Sequence, residues 1–212
     1  EGEIDDITEI RVDDKVVTFS ADIADNTQIT VNSSDANFFK NSESLILLEP
    51  HYGSDSQSAS SLLSTLSSWG SNHRLRGLAY LALRFTWNQD AFNGIPKVQA
   101  VVKGKKVVFY NSSLAAQTAA FKTNPAWCLL DYLTNERYGK GLSVSDIDLQ
   151  SFYDASVIAE TQVTPYSGAS DINIFDCNAV IDTSRKVIEN VRDFLKGCRG
   201  YLPYTAGKYK LV

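Results

Sequence analysis

Residues 78–110 read LAYLALRFTWNQDAFNGIPKVQAVVKGKKVVFY, a stretch that contains two long apolar runs. The runs, 78–87 and 97–110, are rich in β-forming residues, and the turn-forming cluster NQDAFNGIP separates them. Apolar runs of this length are typical of strands that are covered on both faces. The lysine–glycine–lysine sequence at 103–105 predicts that the second run forms two strands joined by a hairpin.

The residues before this stretch also predict short strands. The pair Asp13-Asp14 separates ITEIRV from KVVTFS, and SLILLEP stands among segments rich in Ser, Asn and Asp. These patterns predict strands at 7–12, 15–20 and 44–48, followed by a short helix at 61–68.

After residue 114 the apolar spacing becomes helical. Asn124 and Pro125 predict the N-cap and the first position of a helix that stops before Gly139. The sequence SDID predicts the start of a second helix, with Ser145 and Asp148 as a capping box. The remaining residues predict a strand over 172–182, a helix from Thr183 to Cys198 that ends at Gly200, and a closing hairpin over 201–212.

This order of elements predicts the α+β fold class: a β-rich N-terminal half with mixed strands, then two helices and a strand–helix–hairpin unit. We expect two subdomains, a β-rich one over residues 1–113 and an α+β one over 114–212. The chain begins with Glu1 and contains no methionine, from which we expect an internal segment of a longer protein.

Composition excludes some classes of function. The chain has 212 residues, of which 43% are hydrophobic, and its net charge of −5 argues against a dedicated nucleic-acid binder. Two histidines and three cysteines show no metal-ligand spacing. The cysteines are predicted to be reduced, buried thiols, with a Cys177–Cys198 disulfide as the alternative. No apolar run is long enough to cross a bilayer.

The sequence contains none of the common catalytic or nucleotide-binding motifs, and it predicts no catalytic, metal-binding or cofactor-binding residue. HYGSD places His51, Ser54 and Asp55 close together, but clustered Ser and Asp are typical of turns. Asp146 and Asp148 are interpreted as helix-capping residues rather than as an acid–base pair. The lysines of 103–106 are interpreted as a solvated hairpin tip rather than as a nucleic-acid contact.

WGSNHRLRGLAY, residues 69–80, is interpreted as structural. Arg74 and Arg76 are predicted to face the same side of a strand entrance, where they could bridge carboxylates on a neighbouring element or subunit. Gly77 is predicted to mark a close backbone approach or a bulge.

Further motifs accompany this stretch: Gly-x-Asp-x-Gln at Gly53, Asp55 and Gln57 precedes it, and NGIP, NPAWCLLDYL and NAVIDTS follow it. Taken in this order, the motifs resemble those of the central tail-tip hub of long-tailed phages, in particular the lambda-like tip attachment, or host-specificity, proteins. Two departures are VFYNSS after the lysine-rich strand and Ala179 in place of the family's glycine. The motif residues, to which the resemblance gives a structural role, are Trp69, His73, Arg74, Arg76, Gly77, Tyr80, Gly94, Pro96, Asn124, Pro125, Asp131, Asp182, Gly200 and Gly207.

The resemblance implies a virion protein of the tail tip that is not an enzyme and is assembled in the host cytoplasm. Such hubs are homotrimers that close the tail tube, mount distal host-recognition parts and meet other tail-tip proteins, the tail tube or distal tail protein, and the tape-measure protein. Phage DNA passes nearby without specific binding, and no cofactor or membrane insertion is implied. Two alternatives remain: the hub of a phage-derived injection or gene-transfer particle, and a tail-associated cell-wall hydrolase.

Overall fold

The computed structural model describes residues 2–212, which divide into two compact units. The first unit ends at Lys106 and the second runs from Val107 to Val212. The α+β class is confirmed, with a strand-rich N-terminal half and three α-helices among the described residues, all in the second unit. The subdomain boundary predicted between residues 113 and 114 stays a prediction.

The first unit is built from short antiparallel strands. They are β1 (Ile4–Val12), β2 (Lys15–Val16), β3 (Ile29–Thr30), β4 (Phe39–Lys40), β5 (Glu43–Ser44), β6 (Ile46–His51), β7 (Tyr80–Phe85) and β8 (Val98–Val107), with a 3-10 turn at Leu63–Thr65. The Asp13-Asp14 turn joins β1 to β2 as predicted, and both aspartates have positive φ, as a two-residue hairpin turn of type I′ requires.

The two-strand prediction for residues 97–110 is wrong, because β8 runs through the Lys103-Gly104-Lys105 sequence without a turn. β8 pairs with β1 from Ile4↔Lys105 to Val12↔Val98. Strand β1 and the residue before it place carboxylates beside the lysines, with Asp6 3.3 Å from Lys103 and Glu3 3.5 Å from Lys106. The lysines therefore lie along a strand ladder rather than at a solvated hairpin tip.

Strands β3, β6 and β7 form a second sheet, in which β6 pairs with β7 from Ile46↔Phe85 to His51↔Tyr80. The core of the first unit lies against these strands and β1. Its fully buried members include Ile10, Val12, Phe38, Ile46, Leu48 and Phe92. The helix predicted at 61–68 is only the 3-10 turn at Leu63–Thr65.

The second unit packs its helices around one apolar core. Its elements are β9 (Ala120–Phe121), α1 (Pro125–Thr134), α2 (Leu149–Ala159), β10 (Gln162–Val163), β11 (Ile172–Asn173), α3 (Val187–Cys198), β12 (Tyr204–Thr205) and β13 (Lys208–Tyr209), with a 3-10 turn at Val144–Asp146. The core includes Trp127, Leu129, Leu130, Tyr132, Leu133, Phe152, Val191, Phe194 and Leu211.

The N-termini of α1 and α2 show which helix-start signals in the sequence predicted the structure correctly. Asn124 caps α1 as predicted, since its side chain accepts a hydrogen bond from the Ala126 amide at 3.0 Å. The capping box of Ser145 and Asp148 is wrong: Asp148 is itself the N-cap of α2 and accepts from the Ser151 amide. Ser145 lies in the preceding 3-10 turn.

The segment before α3 is mostly irregular. The strand predicted over 172–182 is present only at Ile172–Asn173, and the helix begins at Val187 instead of Thr183. The Asp182 carboxylate accepts hydrogen bonds from the amide and hydroxyl of Ser184, which holds a turn where the helix was predicted to begin. The closing hairpin is confirmed between β12 and β13. No helix in the described part of the chain has the length and apolar character needed to cross a membrane.

Candidate functional site

The side chain of Gln57 joins two motifs that are separate in the sequence. It is buried, and its Oε1 accepts a hydrogen bond from the Gly53 amide at 2.7 Å. Its Nε2 donates to the carbonyl oxygens of Arg74, Leu75 and Leu78 at 2.8, 3.0 and 3.2 Å. Gln57 therefore fixes the backbone that carries the arginine pair. We call residues 66–78 the arginine loop.

The backbone comes close at both Gly77 and Gly53: the Gly77 carbonyl oxygen accepts from the Gly2 amide at 2.7 Å, and Gly53 leaves no room for a side chain. A Cβ atom on Gly53 would lie 2.7 Å from the carbonyl oxygen of Gly2 and 2.9 Å from the Ala79 amide nitrogen. Gly77 has open space around it, and its φ of +74° is what favours glycine there. Leu75, two residues earlier, also has positive φ, at 46°, which is a strained backbone for leucine.

Arg74 and Arg76 lie in the arginine loop and not at a strand entrance, because β7 begins only at Tyr80. Both side chains are exposed, and Arg74 Nε donates to the Ser71 carbonyl oxygen at 3.0 Å. His73 accepts from the Gly70 amide at 2.9 Å and stacks on the ring of Trp69. The buried Nε1 of Trp69 has no hydrogen-bond partner among the residues that the structure describes. The loop thus presents two exposed guanidinium groups on a backbone that is fixed by the buried Gln57 side chain.

A second polar cluster surrounds a buried carboxylate of strand β6. Glu49 is almost fully buried, and its carboxylate accepts from the amides of Ser61 and Leu62 at 2.9 and 2.6 Å. The hydroxyls of Ser60 and Ser61 and the amide of Gln28 also donate to it. This set, the Glu49 network, attaches the segment after residue 59 to strand β6.

His51 and Tyr80 complete the Glu49 network. His51 is fully buried, its Nε2 lies 3.2 Å from Glu49 Oε1, and its ring stacks on Tyr80 at 4.4 Å. Within residues 2–212, the His51 Nδ1 has no hydrogen-bond partner. Burial, and then the nearby Glu49 carboxylate, raise the pKa of Tyr80. Burial also acts to raise the pKa of Glu49, but the amide and side-chain hydrogen bonds outweigh it and the pKa is lowered.

The HYGSD residues do not form a catalytic triad. His51 is closed off from solvent and faces Glu49, whereas Asp55 is exposed and the Ser54 hydroxyl lies 3.3 Å from that of Ser56. A triad requires a serine–histidine hydrogen bond that a substrate can reach. Among the described residues, no group of three His, Cys, Asp or Glu side chains has a geometry that could hold a metal ion.

The motif residues of the second unit join its helices. The Asn124 amide donates to the Ser156 carbonyl oxygen and to Glu160, both at 3.0 Å, and Pro125 is the first residue of α1. The Tyr138 hydroxyl donates to Asp131, and burial, followed by this bond, raises the pKa of Tyr138. Asn190 links the Asp182 carbonyl oxygen to the Tyr132 hydroxyl.

The other motif residues lie at turns. Gly94 and Pro96 flank the fully exposed Ile95, and Gly207 lies in the turn between β12 and β13. Gly200 follows α3, and its amide donates to the Leu195 carbonyl oxygen at 2.9 Å. These positions set backbone turns and contribute no reactive side chain.

The three cysteines are free, half-buried thiols. The predicted alternative paired Cys177 with Cys198, but the neighbour of Cys177 in the structure is Cys128. A hydrogen bond between their side chains, and then burial, raise the pKa of Cys128. This arrangement keeps the Cys128 thiol protonated and unreactive.

A polar cleft of about 410 Å³ opens beside β10 and β11. Its charged lining residues are Lys122 and Glu160, and both are held by the chain itself. The Lys122 ammonium lies 4.3 Å from the centre of the Phe109 ring, and Glu160 accepts from Asn124. The cleft therefore presents no unpartnered charged group.

Sequence reasoning missed the central residues of both clusters. Gln57 was noted in a motif, but its three contacts lie 17 to 21 residues away and have no local pattern. Glu49 did carry a signal, because a carboxylate inside the apolar run SLILLEP must find partners if the strand is buried.

The motif resemblance is confirmed by comparison with known proteins: the chain is similar to a phage baseplate hub protein and to a phage tip attachment protein. It is 32% identical over 159 residues, 68% of the chain, to the baseplate hub protein pb3 of Escherichia phage T5. It is 33% identical over 84 residues, 38% of the chain, to the tip attachment protein J of Escherichia phage SECphi27. The chain spans 17% of the length of the first relative and 7% of the second. No protein-family model matches the chain.

Proposed function

We propose that this chain is a structural part of a phage tail-tip hub, which closes the tail tube and mounts distal host-recognition parts. The observation that carries the proposal is the 159-residue match to a protein named as a baseplate hub. The match to a tip attachment protein supports the same location in the virion.

The contacts of the motif residues support a scaffold rather than an enzyme. Gln57 and Asn124 each use a buried amide to join separate segments of their own unit. The buried titratable pair, Glu49 and His51, faces other residues of the chain. The proposal includes a homotrimer around the tail axis that contacts the tail tube or distal tail protein, other tail-tip proteins and the tape-measure protein, is assembled in the host cytoplasm, and does not bind passing DNA specifically.

Labelling of particles tests this proposal. Antibodies raised against the chain are applied to particles from cells that express its parent gene, and the particles are imaged by electron microscopy. We expect label at the tip of particles that keep a tail tube. Label on the capsid alone, or only in the soluble lysate, would overturn the proposal.

The same images separate the alternatives. Label at the tip of tailed particles that lack a DNA-filled capsid would assign the chain to a phage-derived injection device. Purified chain is also incubated with cell-wall peptidoglycan, and release of soluble fragments would overturn the scaffold assignment in favour of a hydrolase. The heat-denatured chain is the control for contaminating activity.

A further inference from the structure

We propose that the arginine loop is an interface that docks onto an acidic surface of the first unit of a second copy of this chain. The inference rests on the proposed homo-oligomeric hub and names the surface through which copies meet. The contact is head-to-tail, since the loop on one copy meets a different surface on the next, and such contacts form a ring when the rotation between copies closes.

The arginine loop is held in one conformation before any partner binds. The Gln57 amide contacts three of its carbonyl oxygens, and the Gly77 carbonyl oxygen accepts from the Gly2 amide at 2.7 Å. Leu75 stays at a positive φ that costs on the order of 1 kcal/mol, which the surrounding hydrogen bonds must offset. A loop ordered in advance loses little conformational entropy on docking.

The exposed side chains of the loop have the composition of a protein interface. Leu66, Leu75 and Leu78 are 55%, 40% and 43% exposed. Arg74 and Arg76 stand beside them, and arginine and apolar residues are enriched where proteins meet. The Trp69 indole lies in the same loop, and its Nε1 has no partner in the described part of the chain, which leaves a donor that a small loop movement can offer to an acceptor.

Charge complementarity identifies the partner. Residues 56–89 contain three arginines, Arg74, Arg76 and Arg84, and no acidic residue. None of the three forms an ion pair within the part of the chain that the structure describes. Arginines exposed beside leucines fit a surface that carries carboxylates around an apolar patch.

The same unit carries exposed carboxylates whose charge complements the arginines. Residues 1–55 contain thirteen Asp and Glu against three Lys and Arg. Asp22, Glu43 and Asp55 are exposed, and within residues 2–212 none of them forms an ion pair. Unpaired arginines and unpaired carboxylates on one chain are satisfied together when a second copy binds.

The test is sedimentation equilibrium of the chain from micromolar to millimolar concentration, at low and high salt. We expect self-association that weakens with salt, because exposed charge pairs are screened. Arg74→Glu with Arg76→Glu should weaken association at least about tenfold. The matched control, Lys140→Glu with Lys186→Glu, makes the same change of charge on exposed lysines of the second unit and should leave association unchanged.

A second variant protects the test against misfolding. Leu75→Asn removes an exposed apolar side chain and places a residue that tolerates positive φ. We expect this variant to be at least as stable as the parent and to associate more weakly. A structural role for Leu75 would not produce these opposite signs.

Three outcomes overturn the inference: a monomer over the whole concentration range, association that is insensitive to Arg74→Glu with Arg76→Glu, or arginine-dependent binding of a DNA duplex at physiological salt. Each leaves particle labelling unaffected. A tip-labelled particle with an insensitive variant would therefore reject this surface alone, and an unlabelled particle would reject the hub.

Discussion

The side-chain amide of Gln57 lies 2.8 Å from the carbonyl oxygen of Arg74, 17 residues further along the chain. This bond places the conformation of an exposed basic loop under the control of a buried neutral side chain. Gln57→Glu keeps the shape but turns a carboxylate oxygen toward three carbonyl oxygens. We expect it to lower the free energy of unfolding by about 3 kcal/mol, measured by urea denaturation at neutral pH.

Gln89→Glu is the matched control, because Gln89 is exposed and, within the described residues 2–212, its side chain makes no hydrogen bond that Glu would lose. Its effect should stay within about 0.5 kcal/mol. Equal effects of the two substitutions would show that Gln57 does not hold the arginine loop.

The Glu49 network predicts a specific loss of stability in acid. The hydrogen bonds from Leu62, Ser61 and Gln28 outweigh burial and hold the pKa of Glu49 below its ordinary value of 4.5. The folded state therefore binds this proton less readily than the unfolded state, and the stability from Glu49 is complete above pH 4.5 and lost as pH falls through the lowered pKa. His51, Tyr80, Ser60 and Ser61 face the same carboxylate.

Glu49→Gln tests this loss directly. At neutral pH the variant should be less stable by about 2 kcal/mol, because an amide nitrogen or a weaker acceptor replaces the carboxylate before two backbone donors. The difference should shrink as pH is lowered below 4.5, measured by urea unfolding at a series of pH values. A difference that stays constant down to acid pH would contradict the assignment, and Glu43→Gln controls for the loss of one exposed carboxylate.

Two glycines of the second unit should respond to alanine in opposite directions. A Cβ atom on Gly139 would lie 1.8 Å from the Tyr132 carbonyl oxygen, which the Lys140 amide also contacts. Gly139→Ala should therefore destabilise by about 3 kcal/mol or more. Gly197 lies inside α3 with open space around it, and Gly197→Ala should stabilise by about 0.5–1 kcal/mol. Thermal unfolding of both variants measures the pair, and shifts of the same sign would refute it.

Both the oxygen and the nitrogen of the Asn124 side-chain amide form hydrogen bonds. Substitutions that remove one or both of these groups should therefore have different effects from those at a residue that is only a helix cap. Asn124→Ala removes the cap and leaves the Ser156 carbonyl oxygen unsatisfied, which should cost about 2–3 kcal/mol. Asn124→Asp keeps the cap oxygen but faces Glu160, and should recover little of that stability. Ser143→Ala, which loses the exposed cap of a 3-10 turn and an exposed hydrogen bond to the Ser145 hydroxyl, is the control. Full recovery in Asn124→Asp would reduce Asn124 to a cap.

Local patterns predicted the elements whose causes are local. Asn124-Pro125 specified the start of α1, and Asp13-Asp14 specified a hairpin, because in each case the side chain or φ preference acts within a few residues. The wrong break at Lys103-Gly104-Lys105 has a distant cause. The acidic strand β1, more than 90 residues away, stabilises the lysines in an extended strand.

The functional class was predicted from sequence motifs and could not be predicted from the chemistry of individual side chains. Arg74, Arg76 and Gly77 were visible in the sequence, but their turn depends on Gln57, whose contacts no spacing rule predicts. The carboxylates that the arginines were predicted to bridge are absent from their surroundings in the described structure.

The β1–β8 ladder has a consequence for folding during synthesis on the ribosome. The first strand of the first unit pairs with its last, from Ile4↔Lys105 to Val12↔Val98, so the sheet cannot close until the ribosome has released residues beyond 100. Until then β1 has only the two-residue β2 beside it and an open edge. The carboxylates in and beside β1 oppose aggregation through this open edge until β8 is synthesised. The lysines of β8 then form ion pairs with them.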